Sequence, residues 1–318
     1  MKIKDIYDMA IAEGKKKDPR GIKGVSGEIN RLKSDYNELS SEEKKSFDSE
    51  RFFNPYADTR LLFGDTSKEV KVVMLGIDVD VGEVLLADKL KEKGQRIDLL
   101  MSHHPSGKAL ANLHNVMMMQ SDITNIMGVP INVAEALMEK RIKQVERRVH
   151  PSNHMRAVDA ARLLEIPFMC VHTPADNHVV WYLQNLFDKK KPETLKGVLS
   201  ILKNIPEYRQ AEQNNAGPKI YVGNPKKRAG RVFVDMTGGT EGSREIIEKL
   251  QQAGVGTLVG MHFSEDHVKE AEKHNINMVV AGHISSDNIG LNLLLDSLQK
   301  KSKFQVIACS GFFRHERK

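Results

Sequence analysis

The chain is poor in cysteine, with only Cys170 and Cys309 in 318 residues. Two thiols this far apart build no disulfide framework and lack the paired spacing of a zinc ribbon, which points to a reducing compartment. Long apolar runs are also missing. Nowhere do about 18 apolar residues run together, as a membrane span requires. Lys2, Lys4, Asp5 and Asp8 interrupt the N-terminal residues before a signal-peptide core can form. The expectation is a cytoplasmic protein with no membrane partner. Charge of one sign is not concentrated either. Lys and Arg number 48 against 42 Asp and Glu, a net charge of +6, with a pI of about 9.1. That balance suits a small acidic partner such as a nucleotide. It gives no basic stripe, so nucleic acid is not indicated.

What is present divides along the chain. Residues 1–65 are polar and lysine-rich, with helical spacing over Asp5–Ala12 and Glu28–Leu39 and a capping box at Ser40–Glu43. They carry no chemical constellation and read as a helical N-terminal extension, an arm or a partner surface. From Glu69 the pattern becomes strand–helix–strand: apolar runs at 70–78 and 96–102 flank an amphipathic segment at 81–93. Helices are expected at 121–128, 131–149 and 154–165, and a strand at 167–172. Residues 189–218 read as a helix and a turn-rich linker. Beyond it, strands at 230–236, 256–261, 277–281 and 304–309 alternate with helices at 243–253, 267–274 and 288–300. This alternation predicts an α/β fold of βαβ units with mostly parallel or mixed sheets. Strand, helix, Gly, strand, histidine occurs at 70–104 and again at 231–262, so two related halves, 66–188 and 219–318, are expected.

The chemistry concentrates at strand ends. His103-His104-Pro105 closes the 96–102 run. His172 follows the next strand with Asp176 four residues on, and His283 follows a later one with Asp287 four residues on. In parallel sheets, ligands collect beyond the carboxyl ends of strands, so one cleft can gather all six groups. Imidazole and carboxylate suit zinc, iron or manganese. Adjacent histidines on an extended segment point apart; they can still grip two ions about 3.5–4 Å apart if a carboxylate, Asp176 or Asp287, bridges them. A lone histidine is more often a surface or hydrogen-bonded core residue, and His114, His150, His154, His274 and His315 read that way. Three groups at three strand ends carry more weight.

Other features have two readings. Thr237–Ser243 is a glycine-rich strand-to-helix turn, either a tight turn needing positive φ or, with Lys226, Lys227 and Arg228, a phosphate contact. Asp78 and Asp80 either cap the next helix or reach the cleft. Met117–Met119 reads as packing material.

At Asp98–Pro105, His172–Asp176 and Gly282–Asp287 the chain resembles the Nif-three-like proteins, named for a yeast NGG-interacting factor and often labelled type-two GTP cyclohydrolase I. The likeness runs over residues 66–318. It implies a metal-binding domain with a dinuclear centre in which His103, His104 and His283 are ligands and Asp176 bridges. Asp287 stands where the family usually has glutamate, one methylene longer. His172 falls beside the site, where it is the candidate for catalytic proton transfer. The resemblance also implies a homohexameric ring and a metal-dependent hydrolase acting on a nucleotide-like small molecule. The alternative is a non-catalytic metal-binding or regulatory oligomer that docks partners through residues 1–65.

Overall fold

The structure is a computed structural model that describes residues 1–317. Its strands are β1 (Arg60–Phe63), β2 (Val72–Gly76), β3 (Leu99–Ser102), β4 (Phe168–Cys170), β5 (Lys219–Val222), β6 (Arg231–Asp235), β7 (Val255–Gly260), β8 (Asn277–Val280) and β9 (Gln305–Cys309). They form two mixed sheets, ordered β1-β4-β3-β2-β9 and β5-β8-β7-β6. Each sheet has the same plan: parallel central strands, with an antiparallel edge strand (β1 or β5) on its flank. The expected α/β fold of two related halves is what the chain adopts. Every residue of β2 and β3 is buried, which is why both read as continuous apolar runs rather than alternating ones.

The helices of the first half are α1 (Ile3–Lys17), α2 (Gly21–Glu38), α3 (Ser41–Ser46), α4 (Val81–Glu92), α5 (Gly107–Ala111), α6 (Met119–Ile126), α7 (Ile131–Val149), α8 (Arg156–Leu163) and α9 (Thr173–Lys190). Those of the second are α10 (Leu195–Lys203), α11 (Pro206–Gln213), α12 (Ile246–Gln252), α13 (Glu265–Lys273) and α14 (His283–Gln299). Asp80 caps α4 in a capping box with Glu83, one of the two readings held for that aspartate. Met117 and Met119 are buried as packing residues, while Met118 is exposed.

Residues 1–65 are largely helical, as expected, and pack onto the first sheet. Ile3, Ile6, Tyr7, Ala10 and Ile11 recur on one face of α1, and that face lies in the same apolar cluster as Val73, Leu99, Met169 and Leu295. The segment also supplies β1 to the first sheet. Its apolar spacing looked the same as that of a partner-binding helix, because periodicity names the buried face and not what covers it. The stretch 189–218 is helical and packed: Leu195, Val198 and Leu202 of α10, Ile205 before α11 and Tyr208 within it lie in one apolar cluster with Val232 and Val259.

Candidate metal centre

Each ligand candidate sits where a strand stops. Beyond β3, the His103 N–H donates to the Gly76 carbonyl at 3.0 Å and the His104 N–H to that of Ile77 at 2.9 Å. Two consecutive N–H groups donating to the same neighbour end the regular pairing at Ser102 and bend the chain there; the two rings lie 5.2 Å apart and tilted by 44°. After β4, His172 is the N-cap of α9 and Asp176 lies in its first turn. After β8, His283 opens α14 and Asp287 follows at i+4 on the same helix face.

Helices α9 and α14 bring the two carboxylates together. Gly290, one turn beyond Asp287, lies against the backbone of Ala175, the residue before Asp176. A Cβ at 290 would stand 2.4 Å from the Ala175 oxygen. Only glycine permits so close an approach, and it sets Asp176 and Asp287 on either side of His103. His103 Nε2 is 3.4 Å from Asp176 Oδ1 and 3.5 Å from Asp287 Oδ1. The other oxygen of Asp287 is 3.5 Å from His104 Nε2 and 3.7 Å from His283 Nε2. Asp176 Oδ2 is 3.8 Å from His172 Nε2. All six residues picked out from the sequence thus converge. Asp287, despite its short side chain, lies between His103 on one side and His104 and His283 on the other.

The far nitrogens fix the tautomers. His103 Nδ1 is 3.1 Å from the Val171 carbonyl, which can only accept, so Nδ1 carries the proton and Nε2 the lone pair. His104 Nδ1 pairs with Asp78 at 2.6 Å, and His172 Nδ1 with Asp58 at 2.8 Å. Asp58 also accepts from the Thr173 hydroxyl at 2.6 Å. An acceptor behind each imidazole is the arrangement that orients metal-ligating histidines. Asp78 therefore meets the array from behind His104 and is not among the residues that line the cavity. Asp58 was not foreseen: it lies in the N-terminal segment and meets His172 only because β1 runs antiparallel to β4.

Five atoms at the meeting point are buried without hydrogen-bond partners among the described residues: His103 Nε2, His104 Nε2, Asp176 Oδ1 and both oxygens of Asp287. Each buried polar atom left alone costs about 1–3 kcal/mol. Five lone-pair donors of the type that divalent ions prefer, aimed at one spot, fit a cation. The trios His103-His104-His172, His104-His283-Asp287 and His103-Asp176-Asp287 each place their ligand atoms within 4.8 Å of one another and can hold a metal ion. The proton affinities carry the same imprint. Burial opposes charge on His103, yet Asp287 and Asp176 outweigh it and raise its pKa well above the ordinary value. Next to it, burial and the charges of His103 and His172 push His104 down to about 4. Burial opposes charge on His172 as well, yet Asp176 and Asp58 outweigh it and raise its pKa too.

A cavity of about 290 Å³ opens over this array. His104, His172, Asp176 and His283 form one wall; Asp235, Thr237, Glu241 and His262 of the second half form the other. Asp235 ends β6. Burial, with a smaller effect from the charge of Glu241, raises its pKa from 3.8 to about 6. Glu241 accepts from the Ser264 N–H at 2.5 Å and lies 3.5 Å from His267. Asp235 and Glu241 were not singled out from the sequence, although Val-Phe-Val-Asp is a strand closing on a carboxylate, the same signal that exposed the histidines.

The glycine-rich loop is the tight turn. Gly238 and Gly239 have φ of 94° and 90°, and a Cβ on Gly238 would meet Gln120 Cγ at 2.7 Å. The Gln120 amide donates to the carbonyls of Gly238 and Thr240, at 2.7 Å each. Lys226, Lys227 and Arg228 precede β6 at its opposite end from this loop, so the structure does not bring them to it.

No family model matches the chain, and no curated protein does. Solved structures do. A NIF3 superfamily protein from Sphaerobacter thermophilus is 27% identical with a TM-score of 0.70, over 80% of this chain and 91% of that one. Reduced HcgD from Methanocaldococcus jannaschii is 16% identical with a TM-score of 0.51, over 78% and 87%. At that identity the likeness is one of fold. Among the described residues no helix is long and apolar enough to cross a membrane.

Proposed function

We propose that this chain, a NIF3-like protein, is a dinuclear metal-binding hydrolase for a nucleotide-like small molecule. The observation that carries the reading is the set of five unpartnered ligand atoms at the base of the cavity. Together with His283 Nε2, which lies 3.7 Å from Asp287, they separate into two poles. His103, Asp176 and Asp287 would hold one ion; His104, His283 and Asp287 would hold the other, so that Asp287, rather than the Asp176 that the family resemblance implies, is the residue shared by both sets. Zinc, iron or manganese suits these donors. When bound, two such ions supply Lewis acidity and a water that deprotonates near neutral pH.

The chain's own groups then have defined tasks. Val171, Asp78 and Asp58 keep three imidazoles in the tautomer that exposes Nε2. His172, held through Nδ1, presents Nε2 to the cavity and is the candidate to take up and return a proton there. Met236, Met261 and Phe263 make the cavity partly apolar, which strengthens electrostatic contacts inside it. We also take the chain to assemble as a homohexameric ring, as the family resemblance implies.

The test is metal analysis by plasma mass spectrometry on untagged protein purified without chelator, beside a His103→Ala, His104→Ala double variant. About two ions per parent chain, lost in the variant, is the expected result. A parent that stays metal-free after soaking with zinc, manganese and iron overturns the centre and the hydrolase with it. Two ions without turnover of any nucleotide, cyclic amide or phosphoester leaves the non-catalytic, regulatory reading.

A further inference from the structure

Building on the metal-centre reading, we propose that Asp235 is the recognition residue for the ligand of this cavity. The ligand class is a small planar ring carrying adjacent N–H donors, an amidine-like edge. The cavity walls decide the class. Among the described residues that line it there is no Lys or Arg, while Asp176, Asp235 and Glu241 all do. A phosphate group would therefore meet carboxylates on the wall opposite the centre and find no cationic side chain there. Leu110, Leu113, Met236 and Phe263 line the same space and offer apolar contact to a ring. At about 290 Å³ the space is at the lower limit for ligand pockets and admits a compact ring system.

Of the two carboxylates on the second half's wall, Glu241 is already engaged by the Ser264 N–H and flanked by His267. Asp235 has no hydrogen bond or ion pair among the described residues, and its only charged influence is repulsive, from Glu241. Asp235 is half-buried, and a carboxylate partly removed from water gains from donors that reach it. Its two oxygens match two parallel N–H groups on one rigid edge, the bidentate geometry of guanidinium and amidinium partners. A ligand seated this way would turn its far side to His104, His172 and His283.

The probes are benzamidine, with two N–H edges, and benzamide, of the same shape but with one edge replaced by a carbonyl. Calorimetric titration of the metal-loaded full chain should give benzamidine an affinity at least about tenfold tighter than benzamide. The difference should shrink to within about twofold in Asp235→Asn, whose amide no longer offers two acceptors, with metal content unchanged. Asp235→Glu, which keeps the charge but moves it, should retain part of the preference and guards against a folding defect in the first variant. Equal affinities in the parent, no binding of either probe, or full discrimination in Asp235→Asn would overturn the proposal. In that event the carboxylate is simply hydrated from the small chamber of about 20 Å³ behind it. Metal analysis on the same samples separates the two readings. Intact metal without discrimination sinks Asp235 alone, whereas discrimination by a chain that takes up no metal leaves Asp235 standing and sinks the centre.

Discussion

Replacing Asp235 by asparagine should make the protein more stable at neutral pH and leave it nearly unchanged in acid. The carboxyl has a pKa of about 6 in the folded chain against an ordinary 3.8. Below pH 3.8 both states carry the proton and the group contributes nothing. Between 3.8 and about 6 the unfolded chain releases its proton first, so the folded state binds more protons and stability falls as pH rises. Above pH 6 the full penalty applies. The gap of about two pK units, at 1.36 kcal/mol each, sets an upper limit near 3 kcal/mol. Asp235 keeps some accessible surface where it lines the cavity, and solvent screening reduces that figure. The expected gain in Asp235→Asn is therefore about 1–3 kcal/mol at pH 7.5 and about zero at pH 4. Urea denaturation of both proteins at equal metal content, repeated from pH 4 to 8, reads it directly. Two parallel profiles, or a variant that is weaker throughout, would refute the reasoning: the first means that the carboxyl is not shifted in the folded chain, the second that it has a partner there. A group that costs stability at neutral pH in this way, sitting in a cleft, is a candidate functional residue.

Two other substitutions probe how the site is held. Gly290→Ala should lose about 1–3 kcal/mol of stability through overpacking, because the new methyl would stand 2.4 Å from the Ala175 oxygen. It should also lower metal content, since Asp176 and Asp287 ride on the helices it pushes apart; full stability with full metal would dismiss the close approach as incidental. Deleting residues 1–17 removes the buried side chains Ile3, Ile6, Tyr7 and Ile11, worth roughly 6–12 kcal/mol at 1.5–3 each. That is comparable with the entire stability of a domain, so circular dichroism should show no cooperative melting. A truncated chain that still melts cooperatively would show that α1 is an arm after all.

The centre was legible because its signals are local. A histidine at the end of an apolar run and a carboxylate four residues later on a helix can both be read within ten residues, and His103, His104, His172, Asp176, His283 and Asp287 all obey one of these rules. The buried strands β2 and β3 were legible for the same reason. The antiparallel edge strands were not. β1 and β5 are four residues each, too short for periodicity, and they pair antiparallel with strands far away in the chain, Arg60 with Cys170 and Lys219 with Val280. Asp58 inherits that obscurity, since its contact with His172 spans 114 positions. Nothing within reach of Asp58 in sequence announces a histidine. The face of α1 was visible, but its partner was not.

The two halves share their wiring yet contribute unequally. Gly76 pairs with Ser102 in the first sheet as Asp235 pairs with Gly260 in the second. The Val171 N–H donates to Ser102, and the Ala281 N–H donates to Gly260. Counting two residues on from Ser102 and from Gly260 makes His262 the counterpart of His104, and the His283 ring lies 5.1 Å from His104 and 4.9 Å from His262. The correspondence stops there. Met261 stands in the place of His103, and Ser286, hydrogen-bonded to Tyr208 at 2.8 Å, in the place of Asp176. A second centre related by the repeat therefore lacks its donors. Among the described residues the array takes His103, His104 and Asp176 from the first half and His283 and Asp287 from the second, across the α9–α14 contact. A cation held there binds only when both halves are folded and docked, so its binding free energy adds to the stability of the whole chain rather than to either half.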